Sequence, residues 1–284
     1  MNSTTQANPQ PIALILGGTG KTGAGVAHAL EDSVVSTRTA ARSGADVLFD
    51  WEDSSTFEAA LDGVDRVYLV SQGATPATVS AFLDHAEGSA VRHVTLLSAF
   101  GIDWAPAEVP LRAIELEVLG RSGLSSSILR PAWFMQNFVE PFYVAGLERG
   151  EIRAPTGDGA EAFVDALDIA AVAAATLVDP EAHAGAQYAL TGPRALTMGQ
   201  VAEEISAAAG REIRHVDVTP ETWLNESIES GLPESYASVL AGLLAVVASG
   251  GTPASSDIES VLGRPATSFR SFAERSVDAW AVRA

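Results

Sequence analysis

At 284 residues, 47% of them hydrophobic, the chain can bury a full core, either as one large α/β domain or as a nucleotide domain with a smaller appendage. Its 36 acidic against 17 basic residues leave a net charge of −19, which repels nucleic acid and anionic membrane. With no cysteine there is no disulfide, thiolate nucleophile or cysteine metal site, and the five scattered histidines form no close-spaced metal pair.

Residues 1–10 are polar, without a basic or apolar core. They read as a disordered lead-in rather than a signal peptide, which makes the cytoplasm the expected compartment. The first predicted strand, 12–17, is the apolar run Ile12-Ala13-Leu14-Ile15-Leu16. Gly17-Gly18-Thr19-Gly20-Lys21-Thr22-Gly23 follows, and then a predicted helix of small residues over 21–31. That order of strand, glycine loop and helix lets a backbone wrap round a pyrophosphate. Gly18, Gly20 and Gly23 fit the dinucleotide fingerprint, and Gly17, Gly20 and Gly23 fit the wider spacing of short-chain dehydrogenases. A P-loop fails, because Ile15 stands five residues before Gly20 where a glycine is required. Gly17, Thr19, Gly20, Lys21, Thr22 and Gly23 are therefore the expected phosphate cradle.

The second predicted strand, 34–38, ends at Arg38, the twentieth residue past Gly18, with Arg42 four residues on. An NAD-binding chain would carry an acid near that position to hold the ribose 2′-hydroxyl. A guanidinium instead suits the 2′-phosphate, so NADP(H) is the expected cofactor. Further strands are predicted over 46–50, 64–71, 91–98 and 125–130, with helices over 54–61, 76–87 and 108–122. This alternation predicts a Rossmann-type doubly wound parallel α/β sheet. Ligands there bind at the carboxyl ends of strands, which nominates Asp50 and Trp51 near adenine, Ser71 near phosphate or ribose, and Ser98 near nicotinamide.

Beyond Pro131 the pattern loosens into short strands over 151–155 and 162–164, a helix over 168–178 and a strand over 187–190. Thr197 and Gln200 form a capping box that opens a helix to Ala209, with a strand following over 213–218. The remainder reads as helical, closing over 269–280. Its apolar stretch 239–248 is far shorter than the ~20 residues a spanning helix needs. It reads as a helix either buried or turned toward a second copy in a homo-oligomer. The expected division is an NADP-binding domain over 11–150 and a smaller α+β substrate lobe over 151–284. Among the aromatic residues Trp104, Trp133, Phe134, Phe138, Phe142 and Tyr143, the pair Phe138 and Phe142 is expected in the core. Trp104, Trp133 and Phe134, with Asn137, are expected to line a pocket for a planar substrate.

Several segments together resemble the NmrA-like branch of atypical short-chain dehydrogenases. They are the loop from Leu16 to Gly23, Leu97-Ser98-Ala99, Ser122-Gly123-Leu124, and Leu129-Arg130-Pro131-Ala132-Trp133-Phe134-Met135-Gln136-Asn137-Phe138. Phe163-Val164-Asp165-Ala166-Leu167-Asp168-Ile169-Ala170 and Tyr188-Ala189-Leu190-Thr191-Gly192-Pro193 look like that family's later segments. Within the branch the chain is most similar to ergot-alkaloid reductases of the festuclavine and agroclavine dehydrogenase type. Triphenylmethane-dye and quinone reductases are cousins. The resemblance implies an NAD(P)H-dependent oxidoreductase acting on a small aromatic or heterocyclic molecule.

Standard short-chain dehydrogenases use Tyr-x-x-x-Lys, whose lysine lowers the tyrosine pKa for proton exchange with a carbonyl oxygen. Lys21 is the only lysine here, and the stretch where the pair would fall reads Leu111-Arg112-Ala113-Ile114-Glu115-Leu116-Glu117. Arginine stays charged and cannot replace the proton carrier. Hydride transfer to an imine, iminium or other activated acceptor needs no such donor, and is the expected chemistry. Ser98 is a candidate at the reacting centre, and Asp103, Glu108 and Asp165 are candidates for holding a cationic substrate. The alternative is an NADP(H)-sensing binding protein that consumes no cofactor.

Overall fold

The computed structural model describes residues 10–281, and all but the last residue of the lead-in expected over 1–10 lies outside the described residues. Its elements run β1 (Ile12–Leu16), α1 (Gly23–Ala29), β2 (Ser36–Ala41), β3 (Val47–Leu48), α2 (Ser55–Leu61), β4 (Arg66–Val70), α3 (Pro76–Glu87), β5 (His93–Leu97), α4 (Pro110–Gly120) and β6 (Ser125–Pro131). After these come α5 (Pro141–Glu148), β7 (Glu151–Ala154), β8 (Ala160–Glu161), α6 (Ala166–Val178), β9 (Gln187–Leu190), β10 (Leu196–Thr197), α7 (Met198–Ala209) and β11 (Arg214–Asp217). Four helices close the chain: α8 (Pro220–Glu229), α9 (Glu234–Ala248), α10 (Asp257–Leu262) and α11 (Phe269–Arg275).

β1 to β6 are mutually parallel, and the seven-stranded sheet has the order β3-β2-β1-β4-β5-β6-β9. This is the doubly wound α/β arrangement, with its order reversing beside β1. Strands covered on both faces read as continuous apolar runs, which is why Ala13, Leu14, Ile15 and Leu16 are all buried. Helix boundaries follow local chemistry. The Thr75 hydroxyl accepts from the Thr78 N–H ahead of Pro76 to start α3, and the reciprocal Thr197 and Gln200 capping box opens α7.

Two compact units share the chain: residues 1–130 with 169–188, and residues 131–168 with 189–284. The division is thus not a single cut near residue 150, because most of α6 and the start of β9 return to the first unit. Gly25 of α1 lies against Ala170 of α6, where an added Cβ would sit 3.0 Å from the alanine methyl. The first unit's core joins one face of the sheet, through Leu14, Leu16, Val67, Leu69, Val94 and Leu96, to α2, α3 and α4 through residues such as Phe57, Phe82 and Ile114. A separate core in the second unit gathers Phe138, Tyr143, Phe163, Phe269, Phe272 and Trp280.

Two elements differ from expectation. β2 begins at Ser36 and runs to Ala41, while Val34 is 66% exposed and only Val35 of the apolar pair is buried. Residues 162–164 form no named strand; β8 precedes them, and Val164 makes a single parallel bridge to Phe134. Among the described residues no helix is long and apolar enough to cross a membrane, and no cluster of acidic or histidine side chains could hold a metal ion.

Candidate active site

Register brings the carboxyl ends of four strands to one edge of the first unit. Leu16 pairs with Ala40, Ile15 with Tyr68, and Val70 with Leu97. The loops that begin at Gly17, Arg42, Ser71 and Ser98 therefore leave the sheet side by side. Gly17 takes φ +65°, and a Cβ there would lie 3.7 Å from Val70. At Gly23 a Cβ would fall 2.2 Å from the Gly17 carbonyl oxygen, and at Gly18 it would fall 2.6 Å from the Thr39 Cβ. These two glycines let the loop close on itself and on β2, which no larger residue permits. The loop is tied by Gly18 N–H to Ala40 O and Gly20 N–H to Gly17 O, whereas the Thr19, Thr22 and Gly23 N–H groups bond to no backbone carbonyl among the described residues. A tight turn whose N–H groups are not used up by its own carbonyls suits a diphosphate. Thr19 and Lys21 are exposed, and Thr22 is buried with its hydroxyl toward that of Tyr68.

The cofactor-selecting arginine is where the longer β2 moves it. Arg38 sits mid-strand opposite Leu14, and its guanidinium donates to the Ala60 and Asp62 carbonyl oxygens at 3.2 and 2.5 Å. It ties β2 to the end of α2, bonds that the expected phosphate clamp at Arg38 would have to give up. Arg42, just past the strand end, is exposed, and the turn it opens brings Gly44 beside the Thr19 methyl.

Asp50 shapes its own turn by accepting from the Glu52 N–H at 3.0 Å. Trp51 half-buries its ring against Phe49, Phe57 and Phe82 and donates its indole N–H to the Val70 carbonyl at 3.2 Å. Ser71, next in sequence, is partly exposed at the same strand end.

Ser98 is buried, and its hydroxyl donates to Glu115 at 2.7 Å. Glu115, fully buried on α4, also accepts from Arg112 at 2.5 Å and from Arg130 at 2.6 and 3.1 Å. Burial works against its charge, yet the hydrogen bonds from Arg130 and Ser98 and both guanidinium charges hold its carboxyl below the usual carboxylate range. Arg130 reaches on to Asp103 at 3.3 Å and to the Gln187 side chain at 2.7 Å. Two cations and two carboxylates thus balance, and Asp103 already has its counter-ion.

Asp165, in the second unit, accepts from Gln136 at 2.7 Å and from the Leu167 N–H at 3.0 Å, and pairs with Arg275. Its carboxylate caps the start of α6. Asp103 and Asp165 fall in different units with arginine partners of their own, while Glu108, the third candidate acid, is exposed.

Of the expected pocket residues, Trp104 belongs to the first unit and is 76% exposed, stacked edge-on against Phe100. Trp133, Phe134 and Asn137 stand on the second unit's loop after β6, each partly exposed. Phe138 and Tyr143 are core residues, and the Trp280 indole N–H holds the Phe138 carbonyl at 2.7 Å. The side chain of Phe142 lies outside the described residues.

The sequence profile of the NmrA-like family matches residues 112–281. The chain belongs to the NmrA-like family. An NAD(P)H azoreductase of Xenophilus azovorans is 31% identical, over 93% of this chain and 97% of its own length. Festuclavine dehydrogenase of Aspergillus fumigatus is 32% identical over 94% and 98%. The triphenylmethane reductase of Citrobacter sp., crystallised with NADP(H), superposes with a TM-score of 0.77 at 20% identity, covering 94% of this chain and 99% of its own. This member of the NmrA-like family therefore shares its fold with a reductase and its sequence with named oxidoreductases. Sequence reading missed two carboxylates that organise the chain, Glu115 and Glu161. Nothing local marks either as buried: Arg112 alone is a near neighbour of Glu115, while Ser98, Arg130 and the Glu161 partners Trp133 and Thr252 are distant in sequence.

Proposed function

We propose that the chain is an NADPH-dependent reductase that delivers hydride to an activated small-molecule acceptor such as an imine, iminium, quinone or cationic dye. The observation that carries this reading is an intact dinucleotide loop in a chain whose only lysine, Lys21, lies inside that loop. Gly17, Thr19, Gly20, Lys21, Thr22 and Gly23 would hold the pyrophosphate, and Arg42 the ribose 2′-phosphate. Trp51 and Asp50 would flank the adenine, and Ser71 the adjoining ribose. When bound, NADPH supplies the hydride.

What remains for the chain itself is positioning and exclusion of water. Trp133 and Phe134 offer flat apolar surface to a planar acceptor, and the Asn137 amide offers a donor and an acceptor. Ser98 spends its hydroxyl proton on Glu115, and Arg112 is bound to the same carboxylate. Neither is a free proton donor, so acceptors that need none are favoured. The azoreductase and the festuclavine dehydrogenase among the relatives support this class of acceptor.

The test is NADPH absorbance followed against a cyclic iminium, a quinone and a triphenylmethane cation. Consumption with at least one class is expected. Tight NADPH binding with no consumption by any class would instead identify a cofactor-sensing binding protein.

A further inference from the structure

Glu161 is 1% exposed, and among the described residues neither a lysine nor an arginine is bonded to it. Its Oε1 accepts from the Trp133 N–H at 3.3 Å and its Oε2 from the Thr252 N–H at 3.0 Å, and the nearby Thr252 hydroxyl also favours the charged form. Burial lifts its pKa, a cost that those donors only partly offset. A carboxylate meets this arrangement where an amide does not. One backbone N–H donor meets each carboxylate oxygen, whereas glutamine would turn an NH2 group against one of them.

The segment around Glu161 is locked on both sides. Toward α9, a Cβ on Gly159 would fall 1.9 Å from the Val247 carbonyl oxygen, and one on Gly251 would fall 1.9 Å from the Ala160 carbonyl oxygen. The Ala162 N–H also donates to Thr252 O at 3.0 Å. Toward the loop after β6, the Val164 N–H donates to Trp133 O and the Met135 N–H to Val164 O, each at 2.8 Å. Residues 159–164 thus form a spine joining Trp133 to the end of α9, and the Glu161 side chain bonds to both.

We propose that Glu161 is a positioning residue for acceptor binding, which fixes the backbone of Trp133 and couples it to the α9 terminus through Thr252. This rests on the reading that Trp133 lines the acceptor site. Both hydrogen bonds of the Glu161 carboxylate are to backbone of its own unit, so its effect should fall on the acceptor alone.

The test is Glu161→Gln in the full-length chain, with hydrogen exchange and steady-state kinetics measured together. Exchange at the Trp133 and Thr252 N–H groups should rise about tenfold or more in concert, and the acceptor KM should rise about fivefold or more. NADPH Kd should be unchanged and kcat should stay within about twofold. A Trp133→Phe variant should carry much of the same KM change, with the double variant less than additive. Unchanged exchange at both amides would overturn the clasp itself. Raised exchange with an unchanged KM would overturn the positioning role. Should Glu161→Gln fail to fold, Thr252→Ala, which removes only the hydroxyl donor, should show the same KM shift in weaker form; an unchanged KM there would likewise overturn the proposal. If the wild type turns over no acceptor, the reductase reading fails on its own, while the exchange result still decides the clasp.

Discussion

The Ser98 hydroxyl lies 2.7 Å from the Glu115 carboxylate, which the Arg112 and Arg130 guanidinium groups also hold. The serine's proton thus serves a buried ion cluster rather than a substrate. Ser98→Ala should cost about 1.5–3 kcal/mol of stability, the worth of a hydrogen bond to a charged group, and leave the pH profile of turnover in place. Loss of one limb of that profile would make Ser98 a proton donor after all. Glu115→Gln leaves two guanidinium groups facing a neutral amide and should cost about 3–5 kcal/mol in urea unfolding.

His93 makes stability depend on acid. It is 1% exposed, its ring nitrogens facing the Ser125 and Ser127 hydroxyls at 2.7 and 3.3 Å. Burial, with the charges of Arg66 and His183 nearby, pulls its pKa from 6.5 down to about 4. Between those values the unfolded chain binds a proton that the folded chain refuses. The neutral form's contribution is therefore fully present above pH 6.5 and is lost as pH falls toward 4, by about 2 kcal/mol at pH 5. His93→Gln should lose about 2 kcal/mol less than wild type between pH 7 and pH 5 in urea midpoints. Equal losses would show that His93 titrates normally in the fold.

The acceptor reading is open to a separation of effects. Trp133 and Asn137 belong to the second unit's loop after β6, while the glycine loop belongs to the first unit. Replacing Trp133 with alanine, or Asn137 with alanine, should lower kcat/KM for the acceptor about tenfold or more and leave NADPH Kd within about twofold. Weakened cofactor binding with unchanged acceptor kinetics would move both residues to the cofactor site.

The sequence was most legible where neighbours in the chain decide the outcome. α3 spans the residues expected of it because Thr75, Pro76 and the apolar spacing of Val79, Phe82, Leu83 and Ala86 act within one helix. β2 was misplaced because Val34 and Val35 look like strand, whereas the strand itself is the small polar run from Ser36 to Ala41. Its hydrogen bonds to β1 and β3 form it, and those are long-range. The structural partners of the acids went unread for a related reason. Asp165 and Glu161 look like surface carboxylates until Arg275, 110 residues on, and Thr252, 91 residues on, arrive beside them.

That displacement of β2 yields the sharpest cofactor test. Arg38 has its guanidinium on the Ala60 and Asp62 carbonyls, while Arg42 is exposed at the turn beside Thr19. A 2′-phosphate clamp needs a free fork at the strand end, and the loss of one charge-assisted contact is worth about 1.5–3 kcal/mol. Arg42→Ala should therefore weaken NADPH about 10- to 100-fold and change NADH affinity little, since NADH lacks the phosphate. Arg38→Ala should leave the NADPH to NADH ratio of affinities unchanged while lowering the unfolding midpoint, because two carbonyls of α2 lose their donor. Titrating both cofactors into both variants decides the matter. A collapse of the ratio in the Arg38 variant alone would return the selecting role to Arg38 and require its guanidinium to leave α2 on binding.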